Sequence, residues 1–362
     1  MKRFALSVIG AVAAVATTAA LAGPAMAQAK KPVNIYIWND YLGETTLADF
    51  TKATGYETKV DLYDSLELLE QKVLVGKSGY DVIVPTAEPT LSRMIQAKVV
   101  APLDKSKIPN LKNVDPKVLK LLENSDPGNK FAVPYLGGTV GIAIIPEKIK
   151  AVAPDVPLDS WDLIFKPEVA KKVASCGITV MDSAIDVIPS VLNYLGLDPN
   201  SEKKEDLDKV EKTLLAVRPY IKQFVTGGNI NILAAGDACV VMSYNGDAIQ
   251  GAARAEEAKN GVKVEYITPK EGVQVWWDTL AVPADAPNKA GAYEYINFVL
   301  DPANIAGISN KVNYANAVPA SLANVDEAVK SNAAVFLPED SKVKLFALKP
   351  IKQQPDRARP RV

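Results

Sequence analysis

The sequence predicts an α/β protein built as two lobes, each a mainly parallel sheet flanked by helices. Three observations carry this. Short apolar, β-rich runs alternate with amphipathic helical patterns from residue 33 onward, the βαβ rhythm of parallel strands. Without its first 27 residues the chain keeps about 335 residues, more than one hydrophobic core usually organises. A Gly137-Gly138 pair breaks the long extended run "FAVPYLGGTVGIAIIP", which marks a crossing between lobes.

The elements follow in order. Lys2 and Arg3 precede an apolar run from Phe4 to about Ala22, and Ala25-Met26-Ala27 offers a cleavage site before Gln28, so residues 1–27 read as a signal peptide. A membrane anchor is the alternative; the Gly23-Pro24 break argues against it, and no later run is long and apolar enough to span a bilayer. Strands at 33–37, 57–61 and 81–85 alternate with helices near 45–54, 65–75 and 89–97. A connection rich in Pro, Asn and Lys (102–116) and a "DPGN" turn (126–129) lead into the crossing run. A second β/α region has strands at 178–182 and 239–244 and helices at about 184–195 and 205–220. Strands at 262–267 and 273–282 and a helix at about 288–300 bring the chain back. The expected lobes are therefore 28–136 with about 255–315, and 137–254. Residues 316–362 form a C-terminal segment packing on both, which ends in the polar, Pro-broken "KQQPDRARPRV".

Composition removes several function classes. Loss of the signal leaves 39 basic against 42 acidic side chains, a net charge of -3 and no footprint for nucleic acid. The chain has no histidine, which excludes Ser-His-Asp and Cys-His nucleophile systems and metal sites that need imidazole. Cys176 and Cys239 are an even pair in an exported chain, so a disulfide is expected, closing a loop of about 60 residues and stabilising by roughly 4 kcal/mol. Two buried thiols are the alternative.

The chemistry concentrates in four stretches. "VQVWWDTLAV" (273–282) reads as an apolar strand, yet Trp276 and Asp278 share one of its faces, an indole beside an anion. A carboxylate buried there without a partner costs several kcal/mol, so a cap, a salt bridge or a bound cation is required. "IYIWNDYL" ends a strand with Trp38, Asn39, Asp40 and Tyr41; "VMDSAIDV" puts Asp186 in the first turn of a helix; "VMSYNGDA" sets Tyr244 and Asp247 across an Asn-Gly turn. Strand ends are where α/β sheets bind ligands. Acids paired with rings there describe a box for an organic cation, each ring contributing about 0.5–2 kcal/mol to a desolvated one. Structural readings compete: an N-cap is an even alternative for Asp247, Asp182 reads as a cap rather than a ligand, Asp186 complements a helix dipole, Asp40 is solvated, and Trp38 is core.

On these motifs, together with "DVIVPTAE", "PLDKSKIPNLKNVDP", "VPLDSWDLIFKPE", "VLNYLGLDPNS", "AKNGVKVEYITPKEG" and "VNYANA", the chain resembles the periplasmic polyamine-binding proteins of ABC importers over nearly all its mature length, the putrescine-binding branch most closely. The resemblance implies the two-lobed periplasmic binding protein fold (type II), with hinge crossovers and closure on ligand. It implies a ligand set of Trp38, Asn39, Asp40, Tyr41, Thr86, Asp186, Tyr244, Asp247, Trp276, Asp278 and Tyr314. Three positions depart from the putrescine branch: Asp186 for glutamate, Tyr244 for tryptophan, and Trp276 for phenylalanine. Glu88 in "PTAEPT" either faces the solvent or adds a further acid to the cleft wall, and Leu348 in "LFALKP" offers no polar group to a longer amine.

The expected function is a monomeric periplasmic receptor that captures putrescine, spermidine or both and delivers them to an inner-membrane ABC permease with a cytoplasmic ATPase. It uses no cofactor or metal and performs no catalysis. The rival readings are a receptor for another organic cation, a metal receptor using Tyr41, Tyr244 and Tyr314, and a hydrolase with Asp247 and Asp278 as a carboxylate dyad. A sensor that presents the liganded protein to a signalling partner is a further alternative.

Overall fold

The computed structural model describes Met1, residues 30–338 and residues 341–350. The expected signal peptide, apart from Met1, and the "KQQPDRARPRV" tail lie outside the described residues. Of the chain's two units, Met1–Lys30 and Lys31–Val362, the second holds every element below.

One mixed sheet of eleven strands organises the chain: β1 (Val33–Trp38), β2 (Thr58–Tyr63), β3 (Val82–Ile83), β4 (Ala132–Ile144), β5 (Ile178–Val180), β6 (Gln223–Phe224), β7 (Val240–Tyr244), β8 (Glu265–Ile267), β9 (Val273–Ala281), β10 (Ala315–Asn316) and β11 (Leu345–Ala347). Its main path runs β2-β1-β3-β9-β4-β7-β5-β6. On one side β1 pairs in parallel with β2 and β3; on the other β5 pairs in parallel with β6 and β7. These are the parallel βαβ ladders anticipated from the alternating pattern. Between them stand the two longest-running ladders, β4 and β9, antiparallel to each other and to their neighbours β7 and β3.

All thirteen residues of β4 are buried, as a strand covered on both faces requires. Its ladder with β9 shifts register between Pro134 and Gly137. The Pro supplies no N–H, and the glycines let side chains come close: a Cβ on Gly138 would sit 2.3 Å from the Asn245 amide oxygen and 2.7 Å from the Trp276 ring. β8 pairs with the 142–144 end of β4, and β11 pairs in parallel with residues 273–275 of β9. Helices anticipated at 45–54, 65–75, 184–195 and 288–300 form at Thr46–Thr54, Leu66–Leu74, Ala184–Tyr194 and Lys289–Val299.

Several boundaries move. The 205–220 helix ends as an α-helix at Val217, and Arg218–Tyr220, with Pro219 inside it, closes as a 3-10 turn. The strand expected at 81–85 has only two ladder residues, although the Asp81 N–H still donates to the Asn34 carbonyl at 2.7 Å and the Pro85 carbonyl accepts from the Thr279 N–H at 2.9 Å, and that at 262–267 has only three. Asn245 and Gly246, expected as a turn, open the helix Asn245–Glu257 instead. Asn245 is fully buried; its side-chain oxygen accepts from the Thr139 N–H at 2.9 Å, and its amide donates to the Ala334 carbonyl at 2.8 Å. Asp182, weighed as a cap, is exposed, and Ser183 holds the N-cap position of the next helix.

Cys176 and Cys239 form a disulfide with Cα atoms 5.5 Å apart. It ties the approaches to β5 and β7, where the Cys239 N–H also donates to the Cys176 carbonyl at 3.1 Å. Among the described residues no helix is long and apolar enough to cross a membrane.

Candidate functional site

The carboxyl ends of β1, β2 and β7, the loop after β3, the start of the helix Ala184–Tyr194 and the middle of β9 converge on one cavity. Trp38, Tyr63 and Tyr244 are the last residues of their strands, and Thr86 follows β3. Along β9 the period of two places Gln274, Trp276 and Asp278 on the cavity side.

Six carboxylates border it, Asp40, Asp64, Glu88, Asp186, Asp247 and Asp278, and the last three are hydrogen-bonded to its hydroxyls and phenols. Asp278 is 3 % exposed and lies across an isolated antiparallel bridge from Thr86, whose hydroxyl donates to its Oδ1 at 2.5 Å. Burial pushes its carboxyl up to about 7 and the Asp186 charge adds to that, against the lowering by Thr86, Tyr41 and Trp38. Asp186, 4 % exposed, is the third residue of the helix Ala184–Tyr194. Its Oδ2 accepts from the Ser183 hydroxyl at 2.6 Å and the Tyr244 phenol at 2.9 Å, and its Oδ1 from the Gln274 amide at 3.1 Å. Burial raises it to about 6. Asp247, partly exposed, accepts from the Tyr314 phenol at 2.7 Å, while its own N–H donates to that phenol oxygen at 3.2 Å. It too is raised to about 6, first by its surroundings and then by Asp40, with Arg254 opposing.

The cap reading of Asp247 fails on geometry. Tyr244 occupies the N-cap, and the Asp247 side chain is taken by Tyr314. That contact depends on Gly246, since a Cβ there would stand 2.4 Å from the Tyr314 ring. Among the described residues, no lysine or arginine borders the cavity, and none pairs with Asp186 or Asp278. The donors to these two are neutral: the Thr86 and Ser183 hydroxyls, the Tyr244 phenol and the Gln274 amide.

Rings line the space in a continuous chain. Trp38 lies 6.5 Å from Tyr244 between centroids, Tyr244 5.5 Å from Trp276, Trp276 5.3 Å from Tyr314, and Tyr314 5.4 Å from Tyr41. Burial drives the phenols of Tyr41, Tyr244 and Tyr314 well above their ordinary range, so they are neutral donors. Asn39 and Asp40 sit at the exposed rim. Asp40, at φ 52°, is not merely solvated: Arg254 pairs with it at 2.8 Å and also reaches Asn231 at 3.0 Å. Glu88 is not a solvated loop residue. It is 9 % exposed, borders the same cavity, accepts from the Ser92 hydroxyl at 2.7 Å through Oε2, and leaves Oε1 enclosed without a partner.

All twelve residues singled out in the sequence thus border one cavity. Sequence reasoning missed Gln274, Ser183, Tyr63 and Asp64, and the "TGGNIN" stretch at 226–231, which runs into the helix Asn229–Ala235. Gln274 was accessible in principle, since it lies two residues before Trp276 on the same strand face. The 226–231 stretch carries no charge or ring and reaches the cavity only through tertiary contact, with Gly227 packed on Asp64.

Residues 45–337 match the profile of the bacterial extracellular solute-binding proteins. The chain is 45 % identical over 338 residues to the putrescine-binding periplasmic protein PotF of Escherichia coli (strain K12), covering 93 % of this chain and 91 % of that one. It is 41 % identical over 359 residues to the putrescine-binding periplasmic protein SpuD of Pseudomonas aeruginosa (strain UCBPP-PA14), covering 99 % and 96 %. Among solved structures it is similar to the spermidine/putrescine ABC transporter substrate-binding protein PotD of Streptococcus pneumoniae, with a TM-score of 0.71, 26 % identity, and 89 % and 94 % coverage. The fold is the two-lobed one that the sequence predicts. With the profile spanning most of its length and such relatives covering nearly all of it, the chain belongs to the bacterial extracellular solute-binding proteins.

Proposed function

We propose that the chain is a periplasmic receptor that binds a linear polyamine and delivers it to an ABC permease, without chemistry on the ligand. One observation carries the reading: two buried carboxylates and a third beside them face a ring-lined cavity that, among the described residues, no lysine or arginine borders. Anions desolvated in that way are unfavourable until a cation arrives, and rings stabilise that cation and its methylenes. The names of the relatives, putrescine-binding and spermidine/putrescine-binding, point to the same ligand class. Trp38, Tyr41, Tyr244, Trp276 and Tyr314 cover the chain of the amine, Asp186, Asp247 and Asp278 take its ammonium groups, and Thr86 orients Asp278. Asn39 and Asp40 close the rim.

The lobes meet at the crossings in β4 and β9. We place the first lobe at 28–136 and the second at 137–254, and the pairing of β8 with residues 142–144 supports a return later than 255, within β9. Pro319–Ala323 packs on the helix Pro302–Val312 and β11 pairs with residues 273–275 of β9, which supports a C-terminal segment that packs on both lobes. A hydrolase reading finds less support, since hydroxyl and phenol donors already hold the acids of the supposed dyad. A phenolate metal site finds less too, because burial keeps the phenols neutral. Native mass spectrometry of protein isolated without denaturation tests the proposal: the mass of a retained diamine or triamine is expected. Absence of any such mass, together with no calorimetric binding of putrescine or spermidine, would overturn it.

A further inference from the structure

Gln274 is a buried amide whose two ends differ. It is 2 % exposed and projects from β9 on the same face as Trp276 and Asp278. Its nitrogen donates to Asp186 Oδ1 at 3.1 Å. A carboxylate oxygen only accepts, so the amide cannot be turned the other way, and Oε1 is the atom left over. That oxygen is enclosed and has no hydrogen-bond partner. Buried acceptors in native proteins are almost always satisfied, so a donor is missing from the site.

The neighbouring groups do not supply one. The Ser183 hydroxyl and the Tyr244 phenol both donate to Asp186 Oδ2. Asp186 Oδ1, by contrast, has accepted only the Gln274 amide and keeps a lone pair. Two acceptors, one charged and one neutral, therefore stand at this end of the cavity, an arrangement that suits a group with several N–H bonds and a positive charge.

We infer that Gln274 is a ligand-contacting residue whose Oε1 accepts an N–H from the terminal ammonium held by Asp186, so that this end selects primary amines over N-alkylated ones. The inference rests on the polyamine reading above. It gives the chain an uncharged determinant of specificity, because an unmet buried acceptor penalises any ligand that brings charge without enough N–H bonds.

The test compares putrescine with N,N,N′,N′-tetramethylputrescine, which has the same charge but a single N–H at each end. Calorimetric titrations use the whole mature chain, as wild type and as Gln274→Met. Wild type should prefer putrescine. The substitution should weaken putrescine about tenfold or more and the tetramethyl compound by less than about threefold, which narrows the preference. If Gln274 merely holds Asp186 in place, both ligands lose equally, because both depend on the Asp186 charge, and the inference falls. Should the Met variant not fold, Gln274→Leu serves. Equal wild-type affinity for the two compounds overturns the inference without any variant. Binding of neither by wild type is a different failure, that of the polyamine reading itself.

Discussion

Replacing Asp278 by asparagine should move stability and binding in opposite directions. Asparagine keeps the shape and an oxygen for the Thr86 hydroxyl, and removes only the charge. A carboxyl raised by burial from 3.8 to about 7 carries, once ionised, about 4 kcal/mol of unfavourable free energy in the ligand-free fold. The ligand-free variant should therefore be more stable than wild type at pH 8, by up to about 4 kcal/mol, and the gain should shrink as the pH falls to 5 and wild-type Asp278 takes up its proton. With ligand the sign reverses. An ammonium left beside a neutral amide loses about 2–5 kcal/mol, or about 30-fold to several thousandfold in Kd. Thermal unfolding of ligand-free protein at both pH values and calorimetry with putrescine and spermidine provide the readouts. Near-normal affinity in a folded variant, or a ligand-free variant less stable at pH 8, would refute the argument that Asp278 is an anion awaiting a cation.

Five further outcomes are expected. Asp186 and Asp278 have folded pKa values of about 6 and about 7, above their ordinary 3.8, so the stability they contribute is complete at low pH and is lost as the pH rises through 6–7. Polyamine affinity should run the other way, gaining about 10³-fold from pH 5 to 8; a flat profile by calorimetry would contradict this. Asp247→Asn should weaken binding about ten- to a hundredfold while leaving the melting temperature within a few degrees, since its side chain caps no helix. Reducing the Cys176–Cys239 disulfide, which closes a separation of 63 residues, should lower stability by roughly 4 kcal/mol; abolished binding in still-folded reduced protein would count against a structural role. Glu88→Gln should weaken spermidine more than putrescine, because an acid beyond the three is of use only to a third amino group; equal losses in paired titrations would remove Glu88 from the site.

The sequence by itself determined the fold class, the elements and much of the ligand chemistry. Its period-two runs and helical patterns are local, and they sufficed for most elements to within a few residues. Trp276 beside Asp278 was legible for the same reason: alternation along one strand needs no knowledge of what lies opposite. The tail of the argument required tertiary structure. Whether Asp247 caps a helix or faces a cavity depends on Tyr314, 67 residues away, and whether Glu88 is solvated depends on the cavity wall into which it folds. The antiparallel β4 and β9 at the centre of the sheet could not be read from strand patterns, because pairing partners and direction are non-local. The same holds for the charge state of the site. An aspartate in a sequence has an ordinary pKa; only the packing around Asp186 and Asp278 withdraws water from them and leaves neutral donors in place of cations.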